Sequence, residues 1–264
     1  MSNKDYLWLN LRELPYFRGA LRAVEGSFYE QFELKKPVLD LGCGDGQFAE
    51  ITFDQRMEVG IDPWLEPLRE AKKRDAYRHV IMNEGAILPF SNSYFATVIS
   101  NSVLEHIELL PPVLDEVARV LKPGGQFLFC VPNHQFLGNL SIGKFLDRFG
   151  LKKLADSYRA WFNKISRHYH CDSPEIWEKR LSEAGFDLER WWHYYSPKSL
   201  AMLEWGHYFG LPSWIIHRIT GRWILVPAKW NLWLTRKIVE KSYGENTYND
   251  PEGAYTFYVV RRKA

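Results

Sequence analysis

Glycines at 42, 44 and 46 follow an apolar run, Val38 to Leu41, in the segment VLDLGCGDG. A strand feeding such a turn lets the backbone pass close beneath a ligand where any side chain would collide. A second apolar run, MEVGID, ends in Asp62, twenty residues after Gly42. An acid at that point can accept hydrogen bonds from both ribose hydroxyls of a nucleoside. This pairing suits NAD and S-adenosylmethionine alike. The dinucleotide fingerprint, however, wants its third glycine at position 47, and this chain has Gln47 there. The pyrophosphate reading is weakened accordingly.

Further along stand EGAILPFSNSYFATVISNSVLEHI and LDEVARVLKPGGQFLFCVPN. Together with the glycine turn they make residues 37–133 resemble the class I S-adenosylmethionine-dependent methyltransferases, in the broad branch that methylates small molecules and lipids. The resemblance resumes at SPEIWEKRLSEAGF, residues 173–186. It implies S-adenosyl-L-methionine as cofactor, with its methionine end carried by the glycine turn, here Asp40, Gly42, Cys43 and Gly44, which Gly46 completes. Asp62 matches the family's ribose-binding acid, and Pro63 and Trp64 fall where side chains flank the adenine. The family's third motif often reads Gly-Asp-Ala-Glu; here Asn83, Glu84, Gly85 and Ala86 occupy it. Glu84 then stands in for the acid near the adenine amino group, one methylene longer. Asn101 and Ser102 follow the fourth strand, where the family lines the sulfur end.

Methyl transfer from a sulfonium is an in-line displacement in which the protein mostly supplies positioning and charge arrangement. No metal is required in principle, and no metal site is expected. The HYH run at 168–170 has neither a third ligand nor a carboxylate at convincing spacing. A hydroxyl or weakly acidic carbon acceptor would need a general base. His106, in VLEHI, is the candidate catalytic residue; its other reading is a residue that holds the loop. His168 and His170 have two readings as well, facing the acceptor or capping the next helix.

These residues need a scaffold. Strands are expected near 37–42, 57–61, 79–83, 95–100 and 126–131, with helices near 45–53, 64–74 and 111–121 between them. Pro111-Pro112 suits the start of the last helix, Leu114, Val117, Ala118 and Leu121 share a face, and Pro123-Gly124-Gly125 stops it. Such alternation implies a doubly wound, Rossmann-like α/β fold with a mostly parallel sheet. Right-handed crossovers put Gly42, Asp62, Glu84 and Asn101 along one edge. FDLERWWHYYS reads as a strand, and YTFYVVRR, 255–262, as the last of seven; the resemblance implies that it inserts antiparallel between its two predecessors. The domain is expected over 37–264, preceded by a helical segment, 1–36, with Leu7, Leu11, Leu14, Phe17 and Leu21 at helical spacing and a break at Pro15. Two insertions interrupt it, at about 134–172 and 197–252.

Composition narrows the partners. Three cysteines, an opening segment that lacks an apolar signal core and the want of any uncharged spanning stretch point to the cytoplasm. Residues 1–133 hold 14 Lys+Arg against 19 Asp+Glu, while 134–264 hold 20 against 13. Five tryptophans lie in the second insertion, and residues 198–241 carry seven Lys+Arg against two Glu. That mixture suits either peripheral contact with a membrane interface or a lid packing its tryptophans on protein. A small, hydrophobic or lipid-like acceptor is expected, and no nucleic acid, because the basic residues form no dense stripe and SNSVLEH replaces the motif of DNA-amine methylation. The alternative is a non-catalytic module that binds S-adenosylmethionine.

Overall fold

Val38, Leu39 and Leu41 are buried in β1 (Val38–Leu41), the strand at the middle of the parallel part of the sheet. The structure is a computed structural model and describes residues 4–244 and 249–264; residues 1–3 of the opening segment and 245–248 of the second insertion lie outside the described residues. After β1 come α3 (Gln47–Thr52), β2 (Met57–Asp62), α4 (Leu65–Ala71), β3 (Tyr77–Met82), β4 (Phe95–Asn101), α5 (Pro111–Val120) and β5 (Leu121–Pro132). Then follow α8 (Pro174–Glu183), β6 (Phe186–Tyr194) and β7 (Tyr255–Arg262). The seven strands lie in the order β3-β2-β1-β4-β5-β7-β6. Pairings of β1 with β2 and β4, of β2 with β3 and of β4 with β5 are parallel, and β7 runs antiparallel to β5. The switch between β1 and β4, where the winding reverses, is where a doubly wound sheet opens a ligand crevice.

Contacts divide the chain into two compact units. The sheet unit comprises residues 32–134, 167–192 and 255–264. Its core gathers Leu39 and Leu41 of β1, Val59 and Ile61 of β2, Phe127 and Phe129 of β5, Val117 of α5, Trp177 of α8 and Tyr258 of β7. Ser173 precedes α8 and Pro174 opens it, although the Ser173 hydroxyl makes no capping hydrogen bond. One boundary differs from expectation. The fifth helix ends at Val120, so Leu121 is already a strand residue paired with Phe95, while the next pairing is Thr97 with Gln126. Pro123-Gly124-Gly125 therefore lies in an irregularity within β5 and does not terminate the helix; Gly124 takes φ +71° there.

The second unit comprises residues 1–31, 135–166 and 193–254. Its helices are α1 (Tyr6–Leu11), α2 (Tyr16–Phe28), α6 (Ser141–Arg148), α7 (Lys152–Ser166), α9 (Pro197–Phe209), α10 (Leu211–Thr220) and α11 (Lys229–Gly244). Leu7, Leu11, Leu14, Phe17 and Leu21 are all buried, and the break falls at Pro15, immediately before α2. Gly206 is where α9 meets Phe17: a Cβ there would lie 2.4 Å from the phenyl ring. The buried Glu204 of α9 accepts hydrogen bonds from the Ser141 amide and hydroxyl, the Ile142 amide and the Tyr158 hydroxyl, at 2.5–3.2 Å. A carboxylate spent in this way fixes the start of α6 and complements its helix dipole.

Candidate functional site

Each crossover returns the chain to the same edge, so the C-terminal ends of β1, β2, β3 and β4 converge there. The turn after β1 carries three glycines in the left-handed region, with φ +81° at Gly42, +55° at Gly44 and +75° at Gly46. At Gly42 packing adds a second reason: a Cβ would lie 2.5 Å from both Cγ atoms of Val103, in the loop after β4. A Cβ on Gly44, by contrast, would meet no described atom within 4 Å. The turn is thus packed on one side and open on the other. The Gly42 and Cys43 amides both donate to the Ile61 carbonyl at 2.8 Å, which seats the turn against β2.

Asp62, 8% exposed, fastens that turn from the neighbouring strand end. Its Oδ2 accepts from the Gly44 amide at 3.0 Å and its Oδ1 from the Trp64 amide at 2.9 Å. Burial raises its pKa above the ordinary carboxylate value, against the lowering effect of those two amides, and Asp45 raises it further. An ionised carboxylate has about four acceptor positions, so each oxygen keeps a further lone pair for a ligand hydroxyl. Pro63, Trp64 and Leu65 follow as an exposed apolar ledge.

Asp40 sits beneath the turn. The Tyr77 hydroxyl donates to its Oδ2 at 2.5 Å, and burial together with the charge of Asp40 pushes the phenol pKa well up. Cys43 is buried, and burial beside Asp40 and Asp62 raises its thiol pKa. After β3, Glu84 is exposed at the same edge, while Gly85 packs tightly enough that a Cβ would lie 3.1 Å from Val113 and 3.2 Å from Leu41; Ala86 packs against the core. After β4, Asn101 Oδ1 accepts from the Cys130 thiol at 3.0 Å, and Ser102 adopts φ +53° with its amide donating to the Cys130 carbonyl.

His106 closes a single 3-10 turn, Leu104–His106, beyond β4. Its Nδ1–H donates to the Arg167 carbonyl at 3.0 Å, which leaves Nε2 as the basic nitrogen. His170 Nε2–H donates to the Ile107 carbonyl at 2.9 Å, and the Tyr169 amide to the Glu105 carbonyl at 2.7 Å. The returning segment is therefore sewn to the loop after β4, and His170 holds it there and does not cap α8. His168, for which the linear sequence offers neither a third ligand nor a carboxylate, comes to lie beside His106 and Glu105, with the two imidazole centroids 5.3 Å apart. Spacing within one segment does not disclose this grouping, because Glu105 and His106 are supplied across the fold. Tyr77, Val103 and Glu105 are the other site neighbours that the sequence did not disclose.

A parallel sheet with a glycine turn at its switch point and an acid ending the next strand defines a nucleoside-cofactor-binding α/β protein. Residues 39–129 match the family described as "Methyltransferase domain". A Mycolicibacterium smegmatis protein named as a probable S-adenosylmethionine-dependent methyltransferase is 31% identical over 136 residues, 50% of this chain and 48% of the relative. A Mus musculus protein named as a probable tRNA methyltransferase 9B is 29% identical over 172 residues, 61% of this chain and 36% of that one. The chain spans about half, or less, of the length of these curated relatives. The fold is shared with an S-adenosylmethionine-dependent methyltransferase of Thermotoga maritima, at 15% identity and a TM-score of 0.57 over 94% of this chain and 91% of that one. Residues 39–129 thus carry a methyltransferase domain, set in a fold shared with S-adenosylmethionine-dependent methyltransferases.

Proposed function

We propose that the protein transfers the methyl group of S-adenosyl-L-methionine to a small, apolar or lipid-like acceptor. The observation that carries the cofactor half of this reading is the Asp62 carboxylate, held by the Gly44 and Trp64 amides with lone pairs to spare beside an open turn. In this reading Asp62 accepts from both ribose hydroxyls, and Pro63 and Trp64 flank the adenine. Glu84, Gly85 and Ala86 meet its amino edge, while Asp40, Gly42, Cys43, Gly44 and Gly46 carry the methionine end. Asn101 and Ser102 lie toward the sulfur. When bound, the cofactor supplies an electrophilic methyl on a sulfonium; the protein's task is alignment and exclusion of water. His106 holds the loop after β4 through its Nδ1–H and keeps a basic Nε2.

The acceptor half rests on the surface of the helical unit. Trp214, Trp230, Trp233, Ile219 and Ile238 are all exposed. Lys237 lies 4.9 Å over the Trp233 ring, and Arg218 lies 5.9 Å from that of Trp214. Aromatic rings beside cations suit the interface of an anionic membrane, where the rings enter the headgroup level and the cations meet phosphates. Among the described residues no helix is long and apolar enough to cross a membrane, so the contact proposed is peripheral.

Methyl-labelled cofactor incubated with the protein and separated lipid, polar-metabolite and RNA fractions tests both halves. Label entering the organic-soluble fraction is the expected result. Label confined to RNA or to polar solutes overturns the acceptor, and tight cofactor binding without any transfer marks a non-catalytic binding module instead.

A further inference from the structure

The loop after β4 and the segment that returns from the first insertion bring three metal-ligating side chains to one place. Glu105, His106 and His168 each offer a ligand atom, and these atoms all lie within 4.8 Å of one another. His106 Nε2 is 3.8 Å from Glu105 Oε1. We infer that Glu105, His106 and His168 form a binding site for a divalent transition metal, zinc by preference.

Three features favour a metal over a chance cluster. The first is ligand type: two imidazoles and one carboxylate are a borderline-soft set that suits zinc and disfavours magnesium, whose sites are built of oxygen. The second is tautomer. Because His106 Nδ1–H is committed to the Arg167 carbonyl, the lone pair of Nε2 is the one turned toward Glu105. Metal-bound histidines almost always donate their other ring N–H to a carbonyl or carboxylate in this manner. The third is anchoring. The Tyr169 amide donates to the Glu105 carbonyl, so the backbone of Glu105 itself is tied to the residue that follows His168. Arg167, with φ +55°, takes a left-handed conformation that aims its carbonyl at His106, a backbone state that non-glycine residues adopt uncommonly.

Distances ask for a modest closure. Ligand atoms about 2.0–2.1 Å from a tetrahedral zinc lie roughly 3.3 Å apart, against the 3.8 Å between His106 Nε2 and Glu105 Oε1. The other pairs lie within 4.8 Å, so closure of up to about 1.5 Å is required to reach that spacing. Three protein ligands leave a fourth position for water or another donor; the Cys171 Sγ lies 3.7 Å from His168 Nδ1 but outside the group of three. The site uses none of the residues assigned to the cofactor, but it shares His106 with the methyl-transfer reading, and a metal there takes up the Nε2 that His106 otherwise keeps basic.

Chelator-stripped protein should bind one zinc ion per chain by calorimetry, and magnesium at millimolar concentration should not displace it. Cobalt, used as a visible probe, should give the intense d–d absorption of a four-coordinate site. His168→Ala is the primary variant because His168 is partly exposed and lies outside the helices; it should weaken zinc at least tenfold. Glu105→Gln should do likewise, with its melting curve checked because the residue is buried. His79→Ala, on an outer strand, should leave zinc affinity unchanged, and S-adenosylhomocysteine affinity should persist in the His168 variant. Zinc affinity that is unaltered by His168→Ala, or no stoichiometric binding below 100 μM, overturns the site.

Discussion

The Gly44 amide donates to Asp62 Oδ2 at 3.0 Å, so the acid that ends one strand holds the glycine turn that leaves its neighbour. Substituting Asp62 therefore removes both a ligand acceptor and the clamp on the turn. Asp62→Ala should weaken S-adenosylhomocysteine binding by about 1–3 kcal/mol through lost charge-assisted hydrogen bonds, and Asp62→Asn should fall between it and wild type. Calorimetry on the folded variants measures this; unchanged affinity in Asp62→Ala removes the residue from the cofactor site.

Gly42 meets two demands at once, a left-handed backbone and contact with Val103. Gly42→Ala should cost about 1–2 kcal/mol for the backbone and about 1–3 kcal/mol for overpacking. The double variant with Val103→Ala should recover only the second part. A thermodynamic cycle from denaturant melts separates them, and strict additivity of the two substitutions would contradict the contact.

Tyr77 is the donor beneath the turn. Tyr77→Phe leaves Asp40, 4% exposed, without that hydroxyl, and should destabilise the fold by about 1–3 kcal/mol. A melting curve matching wild type would show that Asp40 draws nothing from the phenol.

The helical unit carries a pH dependence of its own. His207 packs one side of its ring against Phe17 and Phe162 while the residue stays exposed to solvent, and partial desolvation by those rings lowers its pKa below the ordinary value, opposed by its hydrogen bond to the Leu203 carbonyl. The unfolded chain takes up the proton near pH 6.5 while the folded chain resists it until lower pH. Stability from this group is thus full above about pH 6.5 and is lost as pH falls from there through the folded pKa. His207→Gln should flatten the decline of melting temperature on the acid side; parallel curves for the two proteins would refute the assignment.

Elements with strong local punctuation were legible from the sequence. YTFYVVRR forms β7 over the residues expected, and it takes the antiparallel place between β5 and β6 that the resemblance implied. The glycine turn, too, falls where its spacing puts it. Pro123-Gly124-Gly125 misled because the same residues that stop a helix also serve an irregular strand, and the pairing of Leu121 with Phe95 decided between the two. Tyr77 with Asp40, Val103 with Gly42 and His168 with Glu105 were invisible for a different reason. Each pair is far apart in the chain, and neither partner's local pattern announces the other. The grouping of residues 1–31 with residues 135–166 and 193–254 into one unit depends likewise on contacts that no single segment encodes.

The place of β7 between β5 and β6 has a bearing on how the chain is made. During synthesis β5 emerges first, then two long helical excursions and β6, and only afterwards the strand that joins them. Until then one flank of β5 is an unzipped seam, with the main-chain groups of Gln126 to Pro132, which later pair with β7, awaiting partners. Exposed strand edges of this kind invite pairing with the wrong chain. The nascent chain thus carries an open sheet edge until residues 255–262 are delivered to close it.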